Sequence, residues 1–143
     1  MSAIRSADTS DLPRIAALLD AESLPTTDLT TSRIAFWIAE DHGDLVGVIG
    51  LEQHADAGLL RSLVVVPAHR SAGHARRLVD ALEAEAGARG IRDLVLLTQT
   101  AAAFFAGAGY TPIARDKAPR AIQDSTEFRA LCPASAICMH KAL

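Results

Sequence analysis

The chain has 143 residues, half of them apolar and 4% aromatic, with a formal net charge of −3. This length suits one domain with a core of Leu, Val, Ile and Ala. The mild acidity, without basic clusters interleaved with aromatics, argues against nucleic acid and against an anionic membrane as partners. No apolar run approaches the ~20 residues that cross a bilayer. Cys132 and Cys138 are too few for a disulfide framework or a four-thiolate zinc site, and no metal is expected. Nothing before Ile4 reads as a signal peptide, so a reducing cytoplasm is the expected compartment.

Taken in order, Ala3 to Ser6 reads as a short strand, and Thr9 or Ser10 as the cap of a helix with Leu12, Ile15, Ala16 and Leu19 on one face. The linker Glu22 to Thr31 leads to an expected helical turn at Leu29 to Arg33. Ile34, Phe36 and Ile38 alternate with Ala35, Trp37 and Ala39, which favours a strand over a helix. His42-Gly43-Asp44 supplies a turn, and Leu45 to His54 the returning strand. Asp56-Ala57-Gly58 is expected to turn the chain into the next segment.

That segment, Leu59 to Val66, is an apolar run ended by Pro67 and reads as a buried strand. Ala75, Leu78, Val79, Leu82 and Ala86 then form the apolar stripe of a helix closed by Gly90. Between them lies Arg70-Ser71-Ala72-Gly73-His74-Ala75, small residues flanked by basic ones. The free N–H groups of a helix start, at the positive end of its dipole, seat phosphate oxygens well. Asp93 to Thr98 is another buried strand, Thr98 or Thr100 caps a helix over Ala101 to Ala108, and Gly109 stops it. Tyr110 to Arg115 and Ala136 to Lys141 read as strands, with a polar stretch from Asp116 to Pro133 between them. The strand-helix-strand unit demands a parallel pair joined by a right-handed crossover.

Arg70-Ser71-Ala72-Gly73-His74-Ala75 resembles the Arg/Gln-x-x-Gly-x-Gly/Ala signature of the GCN5-related N-acetyltransferase superfamily. Phe104-Phe105-Ala106-Gly107-Ala108-Gly109-Tyr110 resembles that superfamily's aromatic-x-x-x-Gly-aromatic ending. The resemblance covers essentially the whole chain. It implies a single α+β domain over residues 1–143 with the acyl-CoA N-acyltransferase fold: a mixed, mostly antiparallel sheet of six or seven strands flanked by about four helices. It also implies an enzyme that uses acetyl-CoA and a small-molecule amine acceptor, and it leaves a homodimer open. Coenzyme A would be held by Leu63, Val64 and Val65 along its pantetheine arm, by Arg70, Ser71, Ala72, Gly73, His74, Ala75 and Arg76 at its diphosphate, and by Thr98 and Phe105 near the thioester.

Transfer from a thioester to an amine needs a neutral amine, a donor to the oxyanion and a proton for the thiolate. By resemblance, a backbone N–H near Leu63 to Val65 is the oxyanion donor. The tyrosine that many family members use to protonate the thiolate is replaced by Phe105; water or Tyr110 is the substitute acid, although Tyr110 reads more readily as a core aromatic. The usual acidic base is replaced by Arg61 and Ser62. Glu52 and His54 are the remaining base candidates, each of which also reads as a structural residue.

Arg61 is expected to read an anionic group on the acceptor, joined by Ser62, Arg33 and Arg115; the alternative pairs Arg61 with a carboxylate such as Glu52. Arg120 and Arg129 are weaker anion-clamp candidates. The segments Leu24 to Leu29, Leu60 to Val65, Leu96 to Ala101 and Glu127 to Ala136 resemble the arsenic-resistance N-acetyltransferase subgroup, which implies detoxification of an amino-acid analogue such as arsinothricin or phosphinothricin. Cys132 and Cys138 read as a buried pair, with a trivalent-arsenic site as the alternative. A coenzyme-binding sensor without turnover is the competing function.

Overall fold

Where apolar residues run uninterrupted along the chain, strands are buried on both faces. In the computed structural model, which describes residues 3–29, 32–70, 72–131 and 135–143, the strands are β1 (Ala3–Ser6), β2 (Ile34–Asp41), β3 (Asp44–His54), β4 (Ala57–Val65), β5 (Asp93–Thr98), β6 (Thr111–Pro112) and β7 (Ile137–Ala142), of which β3 and β4 are the most buried. The helices are α1 (Leu12–Ala21), α2 (His74–Ala88), α3 (Ala102–Gly107) and α4 (Arg120–Gln123), with a π-helical turn at Glu127–Leu131. The sheet runs β1-β2-β3-β4-β5-β7-β6. Every neighbouring pair is antiparallel except β4 with β5, which α2 joins as a crossover. The α+β fold expected from the sequence is present.

Each face of the sheet buries its own cluster. Trp37, Leu60, Leu78, Leu82, Leu94 and Tyr110 pack on the α2 side. Ile15, Leu19, Phe36, Ile38 and Val64 pack on the α1 side. Leu59, Val95, Ile122 and Cys138 form a third group beneath α4. Phe36 and Trp37 therefore go to opposite faces, as adjacent strand residues must, and β2 is a strand.

Several boundaries differ from the sequence expectation. The turn before β4 sits at residues 55–56, with Ala55 at φ 57°, so Ala57 and Gly58 already pair within β4. Asp8, not Thr9 or Ser10, caps the first helical turn, because its carboxylate accepts from Ser10 N while Asp11 reaches back to the Asp8 N–H. Residues 27–29 form a turn and the Ser32 N–H donates to the Asp28 carbonyl (2.9 Å), while residues 30 and 31 of the expected helical turn lie outside the described set. The strand expected over Tyr110 to Arg115 shrinks to Thr111–Pro112, because Pro112 lacks an N–H and Arg115 enters a 3-10 turn.

One irregularity in β4 shapes the site. Opposite β3, the register passes from Val48↔Val64 to Gly50↔Arg61, so Ser62 and Leu63 face a single residue, Ile49. This is a β-bulge, and Ser62 occupies φ 61° within it. The extra residue reverses the alternation: Leu60 lies on the α2 side, yet Val64, four residues on, lies on the α1 side.

Candidate active site

The parallel register between β4 and β5 covers only Ala57↔Asp93, Gly58↔Leu94 and Leu59↔Val95. Beyond it the strands part. A cavity of about 560 Å³ occupies the gap, walled by Leu60–Leu63 of β4, Leu96–Thr98 of β5, Leu24 and Pro25 of the segment after α1, Phe105 of α3, and Glu127. Leu63, expected near the reacting carbonyl, lines this cavity. Val64 and Val65 pair with Val48 and Gly47 on the β3 side and have no β5 partner in the register on the other. An extended ligand laid along that edge would find polar backbone groups beyond the end of the ladder.

Past the end of β4, the chain enters α2 through Gly73, which sits at φ 82° with no heavy atom within 4 Å of the place a Cβ would take. Gly73 has no side chain to cap the helix, so α2 begins without a side-chain cap from its own N-cap residue. Ala72 is exposed, Ala75 half-buried, and Ser71 lies outside the described residues. His74 is buried and meets His69 edge-to-face at 5.8 Å. The Arg70 guanidinium donates to the Val65 carbonyl (2.9 Å) and pairs with Glu22, tying the turn to β4 and to the end of α1. Arg76, exposed, pairs with Asp80 at 3.1 Å. The turn opens a 15-residue helix directly after β4, the strand that parts from β5, an arrangement that suits a phosphorylated thioester.

Arg61 is the main correction. Its side chain is fully buried, donating to Asp28 through Nη1 (2.6 Å) and Nη2 (2.8 Å), with Nη1 also 3.3 Å from Glu52. Its Nε lies 3.3 Å from Ser62 Oγ and 3.8 Å from Glu127 Oε1. Burial works against the guanidinium charge, but the Asp28 hydrogen bond and the surrounding carboxylates raise its pKa. Asp28 is likewise penalised by burial, and its bonds from Arg61 and Ser32 carry its pKa below the ordinary value. Arg61 thus lines the cavity with its donors already directed to carboxylates, and a role as direct reader of a substrate anion does not fit.

The other expected residues divide. Glu52 is buried against Arg61 and lies 3.1 Å from His54 Nε2; neither is in the cavity wall. Ser62, Thr98 and Phe105 line the cavity, and Thr98 Oγ1 also caps α3 by accepting from Ala101 N. Tyr110 does not line it. Its ring packs against Phe105 and its hydroxyl donates to Glu83 (2.9 Å), with burial and the Glu83 charge pushing its pKa strongly up, so Tyr110 is a core residue and not the acid. Arg33 is exposed beside a different hollow, near Arg89, and Arg115 donates to the Ala136 carbonyl, so no arginine clamp assembles around Arg61. Cys138 is buried, which raises its thiol pKa, and Cys132 lies outside the described residues. Among the described residues no group of three metal-binding side chains occurs.

Asp28 and Glu127 were missed as site residues. The signal was present: the four segments starting at Leu24, Leu60, Leu96 and Glu127, which carried the finer family resemblance, all meet at this one cavity.

Comparison with known proteins agrees. The mixed sheet with its parted β4–β5 pair is the frame of an acyltransferase fold, and residues 32–112 match the model of the acetyltransferase (GNAT) domain. The chain belongs to that family, an acyltransferase class that uses acetyl-CoA. It is 33% identical over 88 residues to an amino-acid acetyltransferase of Pseudomonas fluorescens, covering 60% of this chain and 20% of that protein. The fold matches N-acetylglutamate synthase from Neisseria gonorrhoeae in complex with coenzyme A and L-arginine at TM-score 0.80 and 26% identity, over 99% of this chain and 33% of that one. It matches Rv2747 from Mycobacterium tuberculosis, also in complex with CoA, at TM-score 0.80 and 26% identity, over 99% of both chains. The chain thus spans a fifth to a third of the length of the first two relatives. No helix among the described residues is long and apolar enough to cross a membrane.

Proposed function

We propose that this chain transfers the acetyl group of acetyl-CoA to the amine of a small amino acid or amino-acid analogue. The observation that carries the reading is the cavity that opens where β4 parts from β5, on the strand that leads through the Gly73 turn into α2. The relatives named above favour an α-amino acid. The four segments that resemble the arsenic-resistance subgroup favour a toxic analogue such as phosphinothricin, and their convergence on the acceptor end of the cavity supports specificity being set there.

A panel of amino acids and phosphinothricin, assayed by free-thiol release from acetyl-CoA, tests this. Thiol release that saturates with one acceptor class is the expected outcome. The alternative, a coenzyme-binding sensor, is favoured by Phe105 lacking a hydroxyl and Tyr110 pointing to Glu83. Calorimetric binding of acetyl-CoA without turnover on any member of the panel would establish that alternative.

A further inference from the structure

Three carboxylates, Asp28, Glu52 and Glu127, surround the single guanidinium of Arg61. They are not equivalent. Asp28 takes both terminal nitrogens in a bidentate pair at 2.6 and 2.8 Å, the strongest geometry open to it. Glu52 takes a longer bond at 3.3 Å from the neighbouring β3 and is not in the cavity wall. Glu127 stands 3.8 Å from Nε, beyond hydrogen-bond length, and of the three it is the one that lines the cavity. The wall is mixed, with Leu60, Leu63, Leu96 and Phe105 among its apolar members and Ser62 and Thr98 among its polar ones.

Resting on the function proposed above, we infer that Glu127 receives the acceptor's ammonium and takes its proton, with Arg61 as the positioning residue that holds the carboxylate at the cavity floor. The buried Asp28–Arg61 pair fixes the guanidinium, and the guanidinium holds Glu127 by charge. A carboxylate has about four lone-pair sites, so Glu127 can accept from a ligand in the cavity while keeping its protein contacts. Glu127 removes one proton from the acceptor ammonium. The freed amine nitrogen then bonds to the thioester carbonyl carbon, and the C–S bond breaks with its electron pair on sulfur. The second N–H proton passes to the thiolate through solvent, and Glu127 returns its own proton to water. This places the base on the π-helical turn before β7, opposite the strand where the sequence led one to look.

The test compares wild type, Glu127→Gln and Glu127→Asp by thiol release across pH 6 to 9, using the best acceptor of the panel above. For Glu127→Gln, kcat/KM for the acceptor is expected to fall about 100-fold at pH 7, the usual scale of a lost base. The deficit should shrink as pH rises and the free amine fraction grows, while calorimetric affinity for acetyl-CoA stays at the wild-type value. Glu127→Asp, which keeps the charge, should retain the wild-type pH profile at an intermediate rate. A Glu127→Gln rate equal to wild type, or a loss of the same size at every pH, overturns the assignment. If wild type itself releases no thiol, the acetyltransferase reading falls and takes this inference with it.

Discussion

At the level of single residues, the site depends on which charged groups are already engaged. Arg61, a cation on an apolar strand, invites a substrate role in the sequence, but Asp28, thirty-three positions earlier, occupies its two terminal nitrogens. That pairing is invisible in sequence because it depends on how the segment after α1 folds back across β4. Tyr110 makes the same point in reverse, since its phenol has a partner in Glu83 and its ring a place in the core. Tyr110→Phe should leave turnover unchanged and lower stability by about 1 kcal/mol, the usual worth of one hydrogen bond. Urea titration and thiol release measure the two quantities, and a large fall in turnover would restore the tyrosine to the mechanism.

Among the elements, the turn into α2 and the bulge in β4 do most to shape the cleft. The turn was legible, because a glycine just ahead of an amphipathic stripe reads directly as a helix start. The bulge was not, because Ser62 at φ 61° is set by the pairing of β4 with β3 and by the parting from β5, which are long-range properties. Most strands were legible for the opposite reason: their alternation or continuous apolar runs are local. Thr111–Pro112 was overestimated because apolar content continued after Pro112 had already removed a ladder donor. Gly73→Glu should weaken acetyl-CoA binding at least tenfold in calorimetry, by placing a carboxylate in the diphosphate cradle. Gly73→Ala is the control. With φ at 82° it should cost about 1 kcal/mol of stability, yet the space around the position is empty, so binding should stay near wild type.

For the molecule as a whole, acid stability is concentrated in buried and bridging carboxylates. Asp28 titrates below its ordinary value of 3.8, despite burial, because Arg61 and Ser32 bond its charged form. A depressed folded pKa stabilises fully above the unfolded value and loses that contribution as pH falls through the folded one. Asp28→Asn should therefore destabilise by about 3 kcal/mol near neutrality, as for a broken buried ion pair. The gap to wild type should narrow below about pH 4. Denaturant melts at a series of pH values would show it, and a gap independent of pH would mean that Asp28 acts by shape rather than charge. The sheet's two margins have a further consequence. One is a strand of four residues whose Arg5 is bridged to Asp11 and Glu40, and the other is two residues long and includes a proline. Short, charged or donor-poor borders offer little for a second copy to zip onto, so stacking into ribbons or fibrils through these two strands is disfavoured.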